Sequence, residues 1–247
     1  MGKPGREAVQ ELVPEIRKQY EIDMVIVNGE NAAGGIGITQ STSEAILDSE
    51  VDVITTGNHV WRRKEVIPYL DGDAPIIRPL NYPPGLAGRG YIIIGPVVVV
   101  NLVGRTFMHN YDCPFRAMDK LLEELAQRPK ITIVDFHAEA TSEKVAMGWH
   151  LDGRVTAVVG THTHVGTVDT RVLPNGTAYI TDIGMVGPMD SVIGADKEAA
   201  LSSFLTAMPF NLSVGRGDVI FNSVLLEVSE DTGLATSIIR IDKEIKM

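Results

Sequence analysis

The chain has 247 residues, of which 44% are hydrophobic, 22% charged and 6% aromatic, an ordinary globular mixture that excludes disorder, collagen and coiled coil. Its 22 basic and 32 acidic residues give a net charge of −10, which excludes duplex nucleic acid or anionic membrane held through a basic face. The length, with no polar or Pro/Gly-rich linker, predicts one domain over 1–247, and any phosphate handled there needs positive charge from elsewhere.

In chain order, helical spacing predicts helices over Arg6–Gln19, Ser43–Asp48, Pro114–Gln127 and Glu198–Ala207. A capping box is expected at Ser41-Thr42-Ser43-Glu44. β-Branched runs predict strands at Met24–Val27, Val51–Thr55, Val97–Leu102, Ile131–Phe136, Ala157–Val159, Thr177–Ile180, Val219–Val228 and Thr236–Ile241. The alternation means α/β, and the late strands without intervening helices predict that part of the sheet system is antiparallel. Tyr91 to Val103, the longest apolar stretch, is broken by Gly95-Pro96 and is too short to span a membrane. The N-terminus lacks the apolar core of a signal peptide, and a lone cysteine, Cys113, forms no internal disulfide. A cytoplasmic protein is the simplest expectation.

The chemistry lies in the turns after four strands. One strand leads into Asn28-Gly29-Glu30-Asn31, a second into Gly57-Asn58-His59, a third into His137 and a fourth into Gly160-Thr161-His162-Thr163-His164. Ligands of open α/β sheets bind beyond the carboxyl ends of strands, so four such turns can converge. Imidazole, carboxylate and amide oxygen without thiolate suit a first-row ion such as Mn or Fe. In His162-x-His164 the side chains share a face if extended, and serve neighbouring ions only if a turn splays them. Two divalent ions bridged by a carboxylate, for which Glu30 is the choice, would clamp a phosphate and generate hydroxide near neutral pH. Metal also resolves the charge problem, because cations attract an anionic substrate to an acidic protein.

An isolated Asn or Glu in a turn is ordinarily a cap or turn former, so the weight rests on the four turns together. His109 and His150 have no ligand-type neighbours and are read as structural. Arg105 fits equally a phosphate contact and a surface role. Gly35-Ile36-Gly37-Ile38-Thr39-Gln40 lacks the third glycine of a dinucleotide fingerprint, and no GxxxxGK[ST], HExxH or GxSxG occurs.

With Asn28–Asn31, Gly57–His59, the run from Asp135 to Lys144 (DFHAEATSEK) and Gly160–His164, the chain resembles the calcineurin-like metallophosphoesterases, specifically their YmdB-type bacterial phosphodiesterases. The likeness includes Arg78–Asn81 and Thr181–Met185. It implies a four-layer α/β/β/α sandwich and a dinuclear site hydrolysing phosphodiesters, with 2′,3′-cyclic nucleotides as the suggested substrates. Glu30 matches the bridging ligand, Asn31 and His164 the first ion's ligands, and Asn58, His137 and His162 the second's. His59 matches the group assisting the leaving oxygen, a role that suits imidazole near neutral pH.

Two departures stand out. Family members begin with a buried strand ending in Gly-Asp-Val, whose aspartate is a ligand, so the first strand is expected to be missing here. Arg62 also stands where an aspartate usually follows the tryptophan. The thinner first ion set motivates a second reading, a non-catalytic regulatory protein that binds nucleotide through one metal. A protein phosphatase fits the superfamily but not the subgroup, and a homo-oligomer is left open.

Overall fold

The computed structural model describes residues 1–125, 129–209 and 213–246. The chain opens with α1 (Gly2–Gln19), β1 (Ile26–Asn28), α2 (Gln40–Leu47), β2 (Val53–Thr55), two 3₁₀ turns at Val60–Arg62 and Lys64–Val66, and α3 (Ile67–Leu70). Then come β3 (Tyr91–Ile94), β4 (Val97–Val103), α4 (Pro114–Glu124), β5 (Ile131–His137), α5 (Thr141–Leu151) and β6 (Ala157–Thr161). The remainder is β7 (Arg171–Val172), β8 (Ala178–Ile180), β9 (Val186–Pro188), β10 (Ser191–Val192), β11 (Ala195–Asp196), α6 (Lys197–Thr206), β12 (Val219–Phe221), β13 (Val224–Val228), β14 (Ala235–Arg240) and β15 (Lys243–Ile245).

Six strands form a mixed sheet in the order β3-β4-β5-β6-β8-β7, with β4, β5, β6 and β8 parallel and antiparallel strands at both edges. The continuous apolar runs of β4 and β5 suit its centre, where both faces are covered. On one face Val134 and Phe136 pack with Met118, Leu121, Met147 and Leu151 of α4 and α5. On the other, Ile133 and Ile180 meet Ile238 of the antiparallel β13–β14 pair, while Val99 meets Val53 of the parallel β1–β2 pair. Helix α1 buries Ala8, Val9, Leu12, Val13 and Ile16, a stripe at helical spacing, against β9 and β12. The antiparallel set β15-β12-β9 bears out the expectation from the late strands.

Several elements differ from the sequence reading. Helix α2 begins at Gln40, three residues early, because Thr39 rather than Ser41 is the cap: its Oγ1 accepts the Thr42 N–H while Thr42 Oγ1 accepts the Thr39 N–H. Helix α1 starts at Gly2, since Pro4 is tolerated in a first turn where its N–H has no partner to lose. The single strand expected over Val219–Val228 is two, parted where Asn222 and Ser223 hydrogen-bond Asp242 and the Ile241 carbonyl through their side chains. Helix α5 carries no start signal in the sequence, because Ala140 offers it no side-chain cap. Positions 126–127 of the helix expected over Pro114–Gln127 lie outside the described residues.

Among the described residues β1 pairs only with β2. Its other edge faces a cavity of about 1260 Å³ walled by apolar residues such as Val25, Val97, Ile131 and Leu225, which also reaches Glu30, His137 and His162.

Candidate metal centre

Parallel pairing places Asn28 of β1 opposite Thr55 of β2, and His137 of β5 opposite Thr161 of β6, so all four turns leave from the same end of their strands. One buried carboxylate ties the two sheets together there. Asp135 Oδ2 accepts from Asn28 Nδ2 at 2.9 Å and Thr55 Oγ1 at 2.5 Å, and its Oδ1 accepts from Thr161 Oγ1 at 2.7 Å. Asn28, whose Oδ1 takes the Glu30 N–H at 3.2 Å, therefore positions Glu30.

Glu30 and His137 are each 1% exposed, with Glu30 Oε2 2.9 Å from His137 Nε2. The same Nε2 lies 3.1 Å from Asn58 Oδ1 and 3.0 Å from His162 Nδ1. Ligand atoms of Glu30, His137 and His162 all lie within 4.8 Å of one another. Bonds of about 2.0–2.2 Å join ligand atoms up to about 4.4 Å apart, so side-chain shifts of a few tenths of an ångström at most would close this set around an ion. Gly57 makes this approach feasible, because a Cβ there would stand 2.4 Å from His137 Nε2 and 2.6 Å from Glu30 Oε1.

The condition set for the His-x-His segment is met: His162 and His164 adopt φ values of 106° and 64°, a left-handed turn. It sends His162 toward His137 and His164 toward Asn31, whose Nδ2 lies 3.2 Å from His164 Nε2 and 3.3 Å from Glu30 Oε2. His59 joins this second group through its Nδ1, 3.0 Å from Asn31 Oδ1, while its backbone N–H donates to Glu30 Oε1 at 2.8 Å. The structure thus brings together Glu30, Asn58, His137 and His162 on one side and Glu30, Asn31 and His164 on the other, with His59 beside the latter.

Every ligand-type imidazole has its outer nitrogen engaged. Thr161 Oγ1 donates its own proton to Asp135, so at 2.9 Å it accepts the Nδ1–H of His137. His162 Nε2 meets Glu139 Oε2 at 3.0 Å, and His164 Nδ1 donates to the Ile193 carbonyl at 2.7 Å. Each leaves one nitrogen facing inward, the arrangement that orients metal-ligating histidines. Sequence reasoning missed Asp135, Glu139 and Thr161 in this role, although each lies within two residues of a histidine it had singled out.

The electrostatics match the geometry. Burial alone would raise the Glu30 carboxyl, but the facing His137, their hydrogen bond and His59 hold it down to about 2. Burial lowers His162 to about 4, aided by His137, and also lowers His59 and His164 below 6.5. Burial opposes protonation of His137 too, yet the Glu30 charge beside it prevails and raises it. A buried carboxylate facing inward imidazole nitrogens is an arrangement that a cation satisfies.

The fold and this donor set define a hydrolase of the phosphoester-cleaving class. A model of the YmdB-like protein family matches residues 1–241. A Bacillus subtilis relative named 2′,3′-cyclic-nucleotide 2′-phosphodiesterase is 44% identical over 98% of this chain and 93% of its own. A crystal structure of a hypothetical protein from Thermus thermophilus matches with TM-score 0.92 at 42% identity, covering 99% of this chain and 96% of that one. A Mycoplasma pneumoniae structure described as a novel phosphatase matches with TM-score 0.92 at 34% identity, over 98% and 90% of the two chains. The chain belongs to the YmdB-like family. Among its described residues no helix is long and apolar enough to cross a membrane.

Proposed function

We propose that the protein is a cytoplasmic phosphodiesterase acting on 2′,3′-cyclic nucleotides with two divalent ions, Fe or Mn. The observation that carries the reading is the engagement of the outer nitrogens of His137, His162 and His164, which leaves three inward nitrogens around a buried Glu30. Donors of nitrogen and oxygen without thiolate fit such ions. Asn58, His137 and His162 would hold one ion, Asn31 and His164 the other, and Glu30 both.

When bound, the ions supply charge for the phosphate oxygens and an activated water. The chain's own residues then position and move protons. His59 faces Asn31 Oδ1 through Nδ1; as the imidazolium it would pass its Nε2 proton to the leaving oxygen and be left as the neutral Nδ1–H form. The Glu30 carboxylate fixes the His59 backbone and thereby the distance of that imidazole from the ions. Turnover of 2′,3′-cyclic nucleotides by metal-replete protein tests the assignment.

The fold is read as the four-layer α/β/β/α sandwich in one domain, with room for a further strand beside β1. The edge of β1 left unpaired among the described residues and the apolar cavity beside it support this. The net charge of −10 favours small anionic substrates over duplex nucleic acid and membranes. Exposed Leu201, Phe204 and Leu205 on α6 support a homo-oligomer.

A second reading has its own observation: among the described residues the His/carboxylate metal group comprises only Glu30, His137 and His162. A non-catalytic nucleotide-binding regulator with one intact ion site follows from it. One metal per chain with nucleotide affinity and no multiple turnover would favour that reading.

A further inference from the structure

The loop leaving β4 is built around chemistry that the metal centre does not use. It starts beside the site, where Gly104 donates its N–H to the His137 carbonyl at 2.9 Å. A Cβ at Gly104 would lie 2.5 Å from the Ala138 Cβ and 2.7 Å from Glu143 Oε2, so the loop is pressed against the first turn of α5. Glu143 fixes it there, accepting the backbone N–H groups of Arg105 and Thr106 at 3.1 Å. The Glu143 carboxylate is therefore engaged with the backbone. The Arg105 guanidinium has no hydrogen-bond or ion-pair partner among the described residues. Phe107 adopts φ 61° and is 89% exposed, a backbone cost that packing does not explain.

Beyond this anchor the loop borders an open, shallow cleft of about 430 Å³ lined by Arg105, Thr106, His109, Asn110, Tyr111 and Glu143. His109 and Tyr111 form its aromatic side, and a cluster of rings behind them, Tyr82 buried among them, runs back toward the site. His109 stands edge-on to Tyr111 with centroids 6.1 Å apart, Tyr111 to Tyr82 at 4.9 Å, and Tyr82 to Trp61 at 5.8 Å. Trp61 lies two residues beyond His59 on the same 3₁₀ turn. Rings on a rigid backing, an amide and an uncommitted planar cation suit a flat heteroaromatic ring with hydrogen-bonding edges.

We infer that this cleft is the nucleobase subsite. The base packs on His109 and Tyr111, and Arg105 and Asn110 contact its polar edge, while the cyclic phosphate lies at the metal centre. This rests on the phosphodiesterase reading above and adds the source of preference for nucleotides over other cyclic diesters. It also gives His109, read from the sequence as structural, a ligand role, and directs Arg105 to the base where the sequence suggested a phosphate contact or a surface role.

The experiment compares adenosine 2′,3′-cyclic phosphate with methyl riboside 2′,3′-cyclic phosphate, the same diester without a base. The wild type is set against the Arg105→Ala/His109→Ala double variant and against His109→Phe, all as full chains in metal-replete form. We expect the double variant to lose about tenfold or more in kcat/KM on the nucleotide, chiefly through KM, a loss in the range of a removed stacking partner. On the base-free diester it should match the wild type, and His109→Phe should retain most of the nucleotide preference.

Calorimetric binding of adenosine 3′-phosphate decides the subsite independently of turnover, with about tenfold weaker binding expected in the double variant. Equal binding, or equal losses on the two diesters, would overturn the inference. A wild type inert on both diesters would overturn the phosphodiesterase reading instead, and nucleotide binding would still judge the cleft.

Discussion

Lys144 Nζ lies 2.6 Å from Asp182 Oδ2, and both side chains are 1% exposed. The pair holds the turn of His162 to His164 in place. Asp182 Oδ2 also accepts the N–H of Thr163, the residue between His162 and His164, and its Oδ1 accepts the N–H of Gly184. Removing one member of a buried pair strands the other's charge, at a cost of about 3–5 kcal/mol. Lys144→Met is therefore expected to lower unfolding free energy by that amount and to reduce bound metal, as read by urea denaturation and elemental analysis. Wild-type stability in this variant would show that the pair does not anchor the turn.

Glu139 is nearly half exposed, yet its carboxylate holds His162 Nε2. Partners that hold a ligand from behind affect metal affinity by about 10–100-fold. Glu139→Gln is expected to weaken metal binding within that range while leaving stability within about 0.5 kcal/mol, as for other surface changes. Chelator competition and thermal denaturation on one preparation separate the two effects.

Burial would raise the Asp169 carboxyl, but hydrogen bonds from Thr167 and Thr181 hold it below its ordinary 3.8. A carboxyl depressed on folding adds stability that is complete above its unfolded pKa and lost as pH falls through its folded one. Asp169→Asn should thus cost about 1–2 kcal/mol at pH 7. The gap to wild type should persist to pH 5 and narrow only below about 3.8. Denaturant titrations at pH 7, 5 and 3 check this, and a gap already closed at pH 5 would contradict it.

Helix α6 exposes Leu201, Phe204 and Leu205. If these form a contact between copies, Phe204→Ser/Leu205→Ser should shift the protein toward monomer in sedimentation velocity without altering its circular dichroism. An assembly state identical to that of the wild type would remove α6 from the interface.

The candidate ligands were legible because chemistry of this kind needs particular side chains, and the strands that precede them are plain apolar runs. That logic picked out the four turns and Glu30, the family resemblance assigned Asn31, Asn58, His137, His162 and His164 as ligands, and the structure brings these side chains near one another. What holds them was not legible. Lys144 and Asp182 are 38 residues apart and look like surface charges until the fold buries them together. The fate of the His-x-His segment depended on two positive φ values that neither histidine's identity announces. Helix α2 was displaced because two threonines cap it reciprocally where a carboxylate was expected. The cleft beside β4 escaped notice because His109 and Tyr82 meet only through tertiary packing around Tyr111.

A dinuclear phosphodiesterase in which His59 handles the leaving group's proton is most directly tested by one paired measurement. Metal content and turnover of 2′,3′-cyclic AMP are determined on the same preparations of wild type and His59→Ala. Close to two Fe or Mn ions per chain are expected in both, with multiple turnover by the wild type and a fall in kcat of about 10²–10⁴-fold in the variant. A metal-loaded wild type that leaves the cyclic nucleotide intact, or a variant that turns over at the wild-type rate, would contradict it.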